Sequence, residues 1–426
     1  MKLRMTYNGT DMKWQEALAA WFTQHTEEGV ALLRDLVRQD TVNPPGNEYR
    51  AAEVVTGYLQ RYGIPSTCYE GAPGRTNVLA RIGDGAPVVF VPAHTDVVPV
   101  GDGWTHDPFD PVVRDGFIYG RGVADDKGPL TSLLMLAAFL KQYEGAFRGT
   151  LLAGAVADEE CGSTYGLGYL LEQKLVSADY AIVPDTGASI YRVSCGEKGL
   201  LHVEVTFTGA QAHGSTPEQG CNAAWAAWEF LAALRAEFGD QIGYCPASAH
   251  AWFTPTSINL AQVQGGEVYN IVPGQCRVRL DIRYVPGETQ EAWLARLRGY
   301  AQQVRDRQQC RGFDVRVAAH MPPYVVEADS PLITAVDKAV RAFTGRRIEC
   351  VGMSGTTVCK QLIQHGIPAI GWSQDSQHQA HMANERLALS ELRTFGVVLG
   401  LAFLALGNNL EAIRDGCTSE YSGDSH

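Results

Sequence analysis

Apolar, strand-like runs that end in a carboxylate or a histidine are the feature that most constrains how this chain folds. Residues 88–93, 150–157 and 180–184 form such runs, and helical patterns separate them along the chain. Strands that alternate with helices predict an α/β sheet with helices on both faces. The polar groups that follow the three runs are His94 and Asp96, then Asp158, Glu159 and Glu160, then Asp185. Because sites in open α/β sheets lie beyond the carboxyl ends of the strands, we expect these groups to meet in one crevice.

A glycine-rich turn and a late histidine pair add to this set. The segment 120–128, Gly-Arg-Gly-Val-Ala-Asp-Asp-Lys-Gly, carries Asp125 and Asp126 just before a predicted helix. His378 and His381 lie in a polar loop after a later strand-like run. Each element has an ordinary interpretation by itself, since acidic clusters are typical of exposed turns and a single histidine is more often a surface residue than a ligand. Their joint occurrence, in order and at strand ends, favours a functional site.

The charges of such a cluster indicate a metal centre. Carboxylates and imidazoles brought together repel one another and lose solvation unless cations neutralise them. Two divalent ions outweigh the charges of Asp125, Glu160 and Asp185 and leave a net positive charge that attracts an oxyanion. Neutral imidazoles together with carboxylates suit zinc. One carboxylate that bridges two ions gives the two-metal arrangement that activates water and polarises a carbonyl.

Two further carboxylates have supporting roles in this prediction. Asp96 stands two residues after His94, where it can accept the hydrogen bond of the second N–H of the imidazole. Glu159 is adjacent to Glu160 in the chain and is the expected general base for an attacking water. The sequence therefore predicts a hydrolytic site with two metal ions.

The pattern of the strands changes near residue 198. Residues 201–208 and 275–283 alternate apolar and polar side chains, as strands with one exposed face do, and a predicted helix follows each. The α/β pattern resumes after residue 322. We therefore predict an α/β catalytic domain that an α+β domain interrupts, with the catalytic domain at 1–197 and 323–426 and the inserted domain at 198–322.

Charge and cysteine content narrow the classes of function. The net charge of −12, without a block of lysine and arginine, provides no electrostatic footprint for nucleic acid or an anionic membrane surface. Ten scattered cysteines without a CxxC pair are typical of reduced thiols in a cytosol. The N-terminal residues lack the apolar run of a signal peptide, and the longest apolar stretch, 395–406, is shorter than a bilayer span. We expect a cytoplasmic protein with no nucleic-acid or membrane partner.

Three segments together resemble the signature blocks of a two-zinc metallopeptidase family. They are His94-Thr-Asp-Val-Val-Pro99, the glycine-rich turn 120–128 and Asp158-Glu-Glu-Cys-Gly-Ser163. The family contains carboxypeptidase G, aminoacylase-1, succinyl-diaminopimelate desuccinylase, acetylornithine deacetylase and the carnosine-type dipeptidases. The resemblance covers about residues 20–405. It implies a zinc-binding α/β domain with an inserted lid or dimerisation domain, a homodimer, and two zinc ions per subunit, with cobalt or manganese as open alternatives.

The resemblance also implies a role for each motif residue. His94 and Asp185 would hold one zinc ion, Glu160 and His381 the other, Asp125 would bridge the two, Glu159 would act as the base and Asp96 would orient a ligand. The peptide bond between Asp125 and Asp126 would be cis.

In the inserted domain the resemblance extends to three residues. His213, in the segment 209–217, would reach the site of a neighbouring subunit and stabilise the oxyanion. Asn270 and Arg283 would bind the carboxylate or backbone of the substrate, a task that suits the fork of a guanidinium group. A histidine in a solvated hairpin and an ordinary strand arginine are the alternatives.

Two departures from the family pattern leave the substrate open. The segment 353–357 has threonine where many members have an acid, so Gly355 is expected only to allow close approach of the substrate to the backbone. The residue at Asp185 is glutamate in the deacylases and aspartate in the dipeptidases and aminopeptidases, which favours a dipeptide with a free amine. The segment Gly196-Glu-Lys-Gly199 instead resembles the deacylase branch.

These observations predict a zinc-dependent amidohydrolase that cleaves an amide bond of a small peptide or an N-acyl amino acid. A dipeptidase or aminopeptidase and an N-acyl-amino-acid deacylase, of the desuccinylase or deacetylase type, both remain candidates. A remote alternative is a non-catalytic, metal-stabilised binding protein on the same scaffold.

Overall fold

The computed structural model describes residues 14–186, 188–239, 243–244, 252–308, 310–374 and 379–408. Within them the chain divides into two compact units. The first comprises the residues up to Val193, Glu327–Cys350 and the residues from Thr357 onward, and the second comprises Ser194–Val326 and Val351–Thr356. The predicted insert, 198–322, lies inside the second unit, which also includes short flanking segments.

The helices alternate with strands through most of the chain. In chain order they are α1 (Trp14–Gln24), α2 (Thr26–Val37), α3 (Tyr49–Arg61), α4 (Lys127–Gln142), α5 (Leu167–Glu172), α6 (Ala223–Phe238), α7 (Gln290–Gln308), α8 (Pro331–Thr344), α9 (Cys359–Gln364) and α10 (Leu389–Leu406). Short 3₁₀ turns cover Glu159–Cys161 and Pro217–Gln219.

The strands form sheets in both units. In chain order they are β1 (Ser66–Ala72), β2 (Arg75–Asp84), β3 (Val88–His94), β4 (Val112–Arg114), β5 (Phe117–Tyr119), β6 (Gly149–Val156), β7 (Tyr180–Val183), β8 (Arg192–Glu197), β9 (Gly199–Thr208), β10 (Gly243–Tyr244), β11 (Thr256–Gly265), β12 (Gln275–Tyr284), β13 (Gly312–Met321), β14 (Tyr324–Val325), β15 (Glu349–Met353), β16 (Ala369–Gly371) and β17 (Arg386–Ala388).

The main sheet of the first unit has the strand order β1-β2-β6-β3-β7-β16. Strand β3 is parallel to both β6 and β7, with His94 beside Val156, and β16 is parallel to β7. Every residue of β6 is buried, because both faces of the sheet are covered. The carboxyl ends of β3, β6 and β7 consequently lie side by side at one edge of the sheet.

Helix α10 is apolar along most of its length because other helices of the first unit surround it. It packs against α1, α4 and α8, and its residues 395–404 are all buried. Its 18 residues make it long and apolar enough, by length and composition alone, to cross a membrane. The apolar run 395–406, which is too short by itself for a bilayer span, forms the mostly buried part of this helix, and the helix begins at Leu389. The expectation of no membrane partner stays a prediction.

The second unit is built on an antiparallel sheet with the strand order β10-β11-β12-β9-β13. One face of β9 and β12 packs with α6 and α7 in an apolar core that includes Val205, Phe230, Val278 and Leu297. The other face carries polar and charged residues, which explains the alternation in the sequence. An α/β unit with an α+β unit between its segments confirms the predicted fold class.

Candidate metal centre

Three strand ends and one turn of the first unit bring the predicted ligands together. His94 ends β3, Glu159 and Glu160 follow β6, Asp185 follows β7, and Asp125 lies in the turn before α4. Because β6, β3 and β7 are parallel neighbours, the residues that follow them lie at the same edge of the sheet. The structure thus brings these groups together, as the sequence predicts.

Asp125 lies between two imidazoles. Its Oδ1 is 2.9 Å from Nε2 of His94, and its Oδ2 is 3.1 Å from Nε2 of His381. The same His381 nitrogen is 3.2 Å from Oε1 of Glu160. One carboxylate thus presents a separate oxygen to each histidine, which is the placement a bridging ligand requires.

Two overlapping groups of side chains can each hold a metal ion. One comprises His94, Asp125 and Glu160, and the other His94, Glu159 and Asp185, with the ligand atoms of each group within 4.8 Å of one another. Ligands at about 2.0–2.2 Å around a tetrahedral zinc ion are roughly 3.3 Å apart, close to the separations around Asp125. The donor set and its spacing therefore fit a pair of divalent ions.

Hydrogen bonds between these groups shift the pKa values of the histidines upward. Burial opposes the protonation of His94, but hydrogen bonds to Asp125 and Asp96 outweigh it and raise its pKa well above the usual value. Hydrogen bonds to Asp125 and Glu160 raise the pKa of His381 to about 10. Burial disfavours the ionised form of Asp125, yet the two histidines hold the pKa of this carboxyl well below its usual value.

Two other carboxyl groups near the centre, those of Glu159 and Asp126, have pKa values that are raised, unlike the pKa of Asp125. Burial, followed by the charge of Asp185, raises the pKa of Glu159 well above the usual value. Burial likewise raises the pKa of Asp126, whose Oδ2 accepts the backbone N–H of His94 at 3.1 Å. Burial is the largest cause of both pKa shifts, and neighbouring carboxylates add to it; bound divalent ions would oppose both shifts.

The carboxylate of Asp96 holds the backbone of both glutamates. Its Oδ1 accepts the N–H of Glu159 at 3.0 Å, and its Oδ2 accepts the N–H of Glu160 at 3.1 Å. Nδ1 of His94 is 2.9 Å from the backbone oxygen of Asp96 and 3.5 Å from its Oδ1. Asp96 therefore orients the imidazole mainly through its carbonyl, while its carboxylate positions the turn after β6.

The backbone of the centre has unusual conformations at four residues. The peptide bond between Asp125 and Asp126 is cis, as the family resemblance implies. Asp158 and His381 have φ angles of 66° and 65°, in the left-handed region that costs non-glycine residues energy. Positive φ angles at non-glycine residues such as Asp158 and His381 persist only where surrounding contacts hold them.

A buried ion pair between Arg121 and Glu385 supports the turn that carries Asp125. Nη1 of Arg121 donates to Oε2 of Glu385 at 2.7 Å, and both side chains are 1% exposed. Oε1 of Glu385 accepts the N–H of Ala124 at 2.8 Å, and Oε2 accepts that of Gly122 at 3.1 Å. The pair thereby connects the glycine-rich turn to the loop after His381.

We expect Glu385→Ala to lower the free energy of unfolding of the metal-free protein by about 3–5 kcal/mol, because it leaves the charge of Arg121 buried without its partner. Urea unfolding followed by tryptophan fluorescence measures the change. Glu144→Ala, which removes a partly exposed ion pair with Lys141, serves as the control and should cost less than about 1 kcal/mol. Equal losses in the two variants would contradict a structural role for the buried pair.

The second unit holds the other predicted site residues, in two places. The backbone of His213 bridges to Ile271, and the N–H of Gly214 donates to the carbonyl of Asn270 at 2.7 Å, so the loops of His213 and Asn270 are adjacent. Both of these residues are exposed. Nε of Arg283 donates to Oδ1 of Asp281 at 2.8 Å.

Arg283 also lies beside the segment that contains Gly355. Its Nη1 is 3.3 Å from Oγ1 of Thr356, the residue after Gly355. The roles of Arg283, Gly355, His213 and Asn270 toward a substrate stay predictions. His378 lies outside the described residues.

Sequence reasoning missed buried residues that support the segments carrying the predicted ligands. Glu385 is one, and Asn43, Glu48 and Arg75 are others, all buried. The sequence indicates only a turn at Asn43, because Asn-Pro-Pro-Gly typically interrupts a helix. The position of Glu385, four residues after His381, could predict its supporting role only if the fold of that loop were already known.

Comparisons with known proteins agree with this geometry. Residues 90–403 match the model of peptidase family M20/M25/M40. The chain is 30% identical over 401 residues to an uncharacterized metallohydrolase of Methanocaldococcus jannaschii, an alignment that covers 86% of this chain and 96% of the relative. It is also 30% identical over 336 residues to a succinyl-diaminopimelate desuccinylase of Marinobacter nauticus, covering 76% of this chain and 85% of the relative.

A similar fold is found among solved structures. The crystal structure of aminopeptidase PepT from Bacillus cereus superimposes with a TM-score of 0.72 at 20% sequence identity, and the match covers 90% of this chain and 99% of that chain. At this identity the likeness concerns the fold alone.

Proposed function

The chain belongs to peptidase family M20/M25/M40 and is a metallohydrolase, and from this premise we propose that it cleaves the amide bond of an N-acyl amino acid at the centre around Asp125. The observation that carries the proposal is the position of this carboxylate, with one oxygen toward His94 and the other toward His381. A carboxylate placed between two such groups is suited to bridge two ions.

We propose zinc as the metal, with cobalt or manganese as alternatives. His94 and Asp185 would hold one ion, Glu160 and His381 the other, and Asp125 would contact both. Two bound divalent ions supply Lewis acidity, which polarises a carbonyl and lowers the pKa of water. Elemental analysis of protein purified without added metal tests the identity and number of the ions.

The side chains of the protein would carry the proton transfers. Glu159 accepts a proton from the attacking water as the new C–O bond forms, and it returns that proton to the leaving amine as the C–N bond breaks. The partner subunit's His213 would donate a hydrogen bond to the oxyanion of the tetrahedral intermediate. Arg283 and Asn270 would bind the carboxylate of the substrate.

The choice of substrate class rests on two opposing observations. Relatives at 28–30% identity are named succinyl-diaminopimelate desuccinylases, which supports an N-acyl amino acid. The aspartate at position 185, where deacylases of the family have glutamate, supports a dipeptide with a free amine as the second candidate.

Amine release from a substrate panel distinguishes the candidates. Metal-loaded enzyme would be assayed on N-succinyl and N-acetyl amino acids and on free-amine dipeptides, with Glu159→Gln as the blank. We expect the highest kcat/KM on an N-acyl amino acid. Preference for dipeptides would assign the chain to the second candidate, and no turnover of any member by protein that holds two metal ions would favour a non-catalytic binding protein.

We propose that the protein is a homodimer joined through the second unit. Trp225 and Trp228 lie one helical turn apart on α6 and are 62% and 60% exposed. Leu260 and Val263 of β11 are also exposed. Trp225 and Trp228 together form an exposed apolar patch on the helix, and such patches are typical of protein interfaces. Light scattering should give a dimer for the wild-type protein and a monomer for Trp225→Glu/Trp228→Glu.

Mixing two inactive variants tests whether His213 acts across the dimer. A heterodimer of a Glu159→Gln chain and a His213→Ala chain has one site in which both residues are intact. Random exchange of subunits therefore restores up to about a quarter of wild-type activity. If His213 acted within its own subunit, no mixture would recover activity.

We propose that the enzyme is cytoplasmic. None of the eight cysteines in the described part of the chain forms a disulfide, which supports a reducing compartment. Cell fractionation with an antibody to the native protein tests this location.

A further inference from the structure

A cluster of buried polar side chains lies behind the metal centre in the first unit. It consists of Asn43, Glu48, Arg75, Asp96 and Asp158, none of them more than 8% exposed, and we call it the Asn43 cluster. Three of its members are carboxylates and only one is a cation. Buried charges of this kind are stable only where hydrogen bonds satisfy them.

Asn43 joins two carboxylates through a single amide nitrogen. Its Nδ2 donates to Oδ2 of Asp96 at 2.8 Å and to Oδ1 of Asp158 at 3.1 Å. An amide nitrogen has two N–H bonds, so each carboxylate receives one of them. Asn43 thereby connects two groups of like charge that would otherwise repel each other.

The segment that carries Asn43 is fixed along the residues after β3. Oγ1 of Thr41 donates to the carbonyl of Thr95 at 2.6 Å, and the N–H of Asn43 donates to the carbonyl of Val97 at 2.9 Å. Val42 and Val97 form a parallel bridge. These contacts keep the backbone of residue 43 beside Asp96 even when the side chain of residue 43 is replaced.

Arg75 and Glu48 hold Asp158 from the other side. Nε and Nη2 of Arg75 donate to the two oxygens of Glu48 at 2.7 and 2.6 Å, and Nη2 also donates to Oδ1 of Asp158 at 2.8 Å. Oε1 of Glu48 accepts the backbone N–H of Asp158 at 3.1 Å. Asp158 is thus held by both its side chain and its backbone, in its left-handed conformation.

The two carboxylates joined by Asn43 control the turn that contains the predicted base. Asp158 directly precedes Glu159, and Asp96 accepts the backbone N–H of Glu159 and of Glu160. We propose that Asn43 is a positioning residue, which keeps the Glu159–Glu160 turn in register with the metal centre. The inference rests on the proposed roles of Glu159 as base and Glu160 as ligand.

The test is Asn43→Ala, measured by kinetics and by metal affinity. Loss of an outer-shell partner typically costs about 10- to 100-fold in metal affinity or activity. We expect kcat to fall by about that factor, with KM changed less than about threefold, because the residue touches no substrate. Zinc affinity, measured by competition with a chromophoric chelator, should fall about 10-fold or more.

Two further variants separate positioning from general destabilisation. Thr150→Val removes the 2.8 Å hydrogen bond from Oγ1 of Thr150 to the carbonyl of Gly85, at the end of β6 opposite to Glu159, so kcat and zinc affinity should stay within about twofold of wild type. Asn43→Asp keeps the shape but replaces the donors with a fourth carboxylate, and it should lose at least as much zinc affinity and kcat as Asn43→Ala. If Asn43→Ala does not fold, Arg75→Lys tests the cluster from its other end, because lysine cannot bind Glu48 with two parallel N–H groups.

The zinc measurement needs no substrate, so this inference and the proposed function can fail independently. Wild-type kcat and zinc affinity in Asn43→Ala would overturn the positioning role, as would losses matched by Thr150→Val. A wild-type protein that hydrolyses no amide, together with weaker zinc binding in Asn43→Ala, would leave the positioning of the centre intact and refute the proposed function.

Discussion

Glu159→Gln is expected to lower kcat by about 10³- to 10⁴-fold, the largest effect of any single substitution that leaves the metal centre assembled. Glutamine has the shape of glutamate but cannot accept the proton of the attacking water, and general acid–base catalysis contributes up to about 10⁴-fold. His94, Asp125 and Glu160 are unchanged in this variant, so we expect it to bind as much metal as the wild-type protein. Steady-state kinetics and elemental analysis of the same preparation measure both quantities.

Glu172→Gln is a suitable control, since Glu172 is exposed at the end of α5. It should have wild-type kcat. A Glu159→Gln variant that kept more than a tenth of wild-type kcat would refute Glu159 as the base. A variant that lost metal together with activity would instead indicate that Glu159 is a ligand, as its place in the group with His94 and Asp185 allows.

Asp125→Ala is expected to abolish tight metal binding and turnover together. This carboxylate lies within 3.1 Å of both imidazoles, so its removal takes a donor from each of the two positions. The loss of zinc affinity should exceed the roughly 10- to 100-fold that loss of an outer-shell partner costs. Isothermal titration of metal-free protein with zinc measures it, and Asp125→Asn, which keeps one oxygen, should give an intermediate loss.

Metal removal from the wild-type protein provides the matched comparison. A chelator should abolish activity, and added zinc should restore it. Because a ligand that binds only the folded state stabilises it, zinc should also raise the Tm of the wild-type protein. Asp125→Ala should show neither the recovery nor the rise in Tm. Recovery of activity by this variant at ordinary zinc concentrations would contradict a bridging role for Asp125.

The strands of the catalytic sheet were accessible to sequence reasoning because their burial leaves a local signature. Strand β6 is buried at every position and is apolar except for Thr150, whereas β12 is buried at alternate positions and alternates in polarity. The polarity of two to ten successive residues is enough to show which faces of a strand are exposed to solvent. The apolar run 395–406 has a similar signature, whereas the first turn of α10 mixes polar and apolar residues and has none.

The ligand set was accessible for a related reason. His94 is the last residue of β3, and Glu160 and Asp185 come within four residues of the ends of β6 and β7. Their positions at one edge of the sheet are therefore implied once the strands are known to be parallel. The second unit shows the limit of this reasoning. Exposed loops carry His213 and Asn270, and no strand end dictates where such loops point.

By itself, the sequence determined the α/β fold class, the carboxylates and histidines that form the centre, and the family's hydrolytic chemistry, because strand periodicity and short motifs are local properties of the chain. Tertiary structure alone decided what holds those groups in place. Asn43 contacts Asp158 across 115 residues, and Arg121 contacts Glu385 across 264. Contacts between such distant residues depend on how whole strands and loops pack, and no local pattern encodes them.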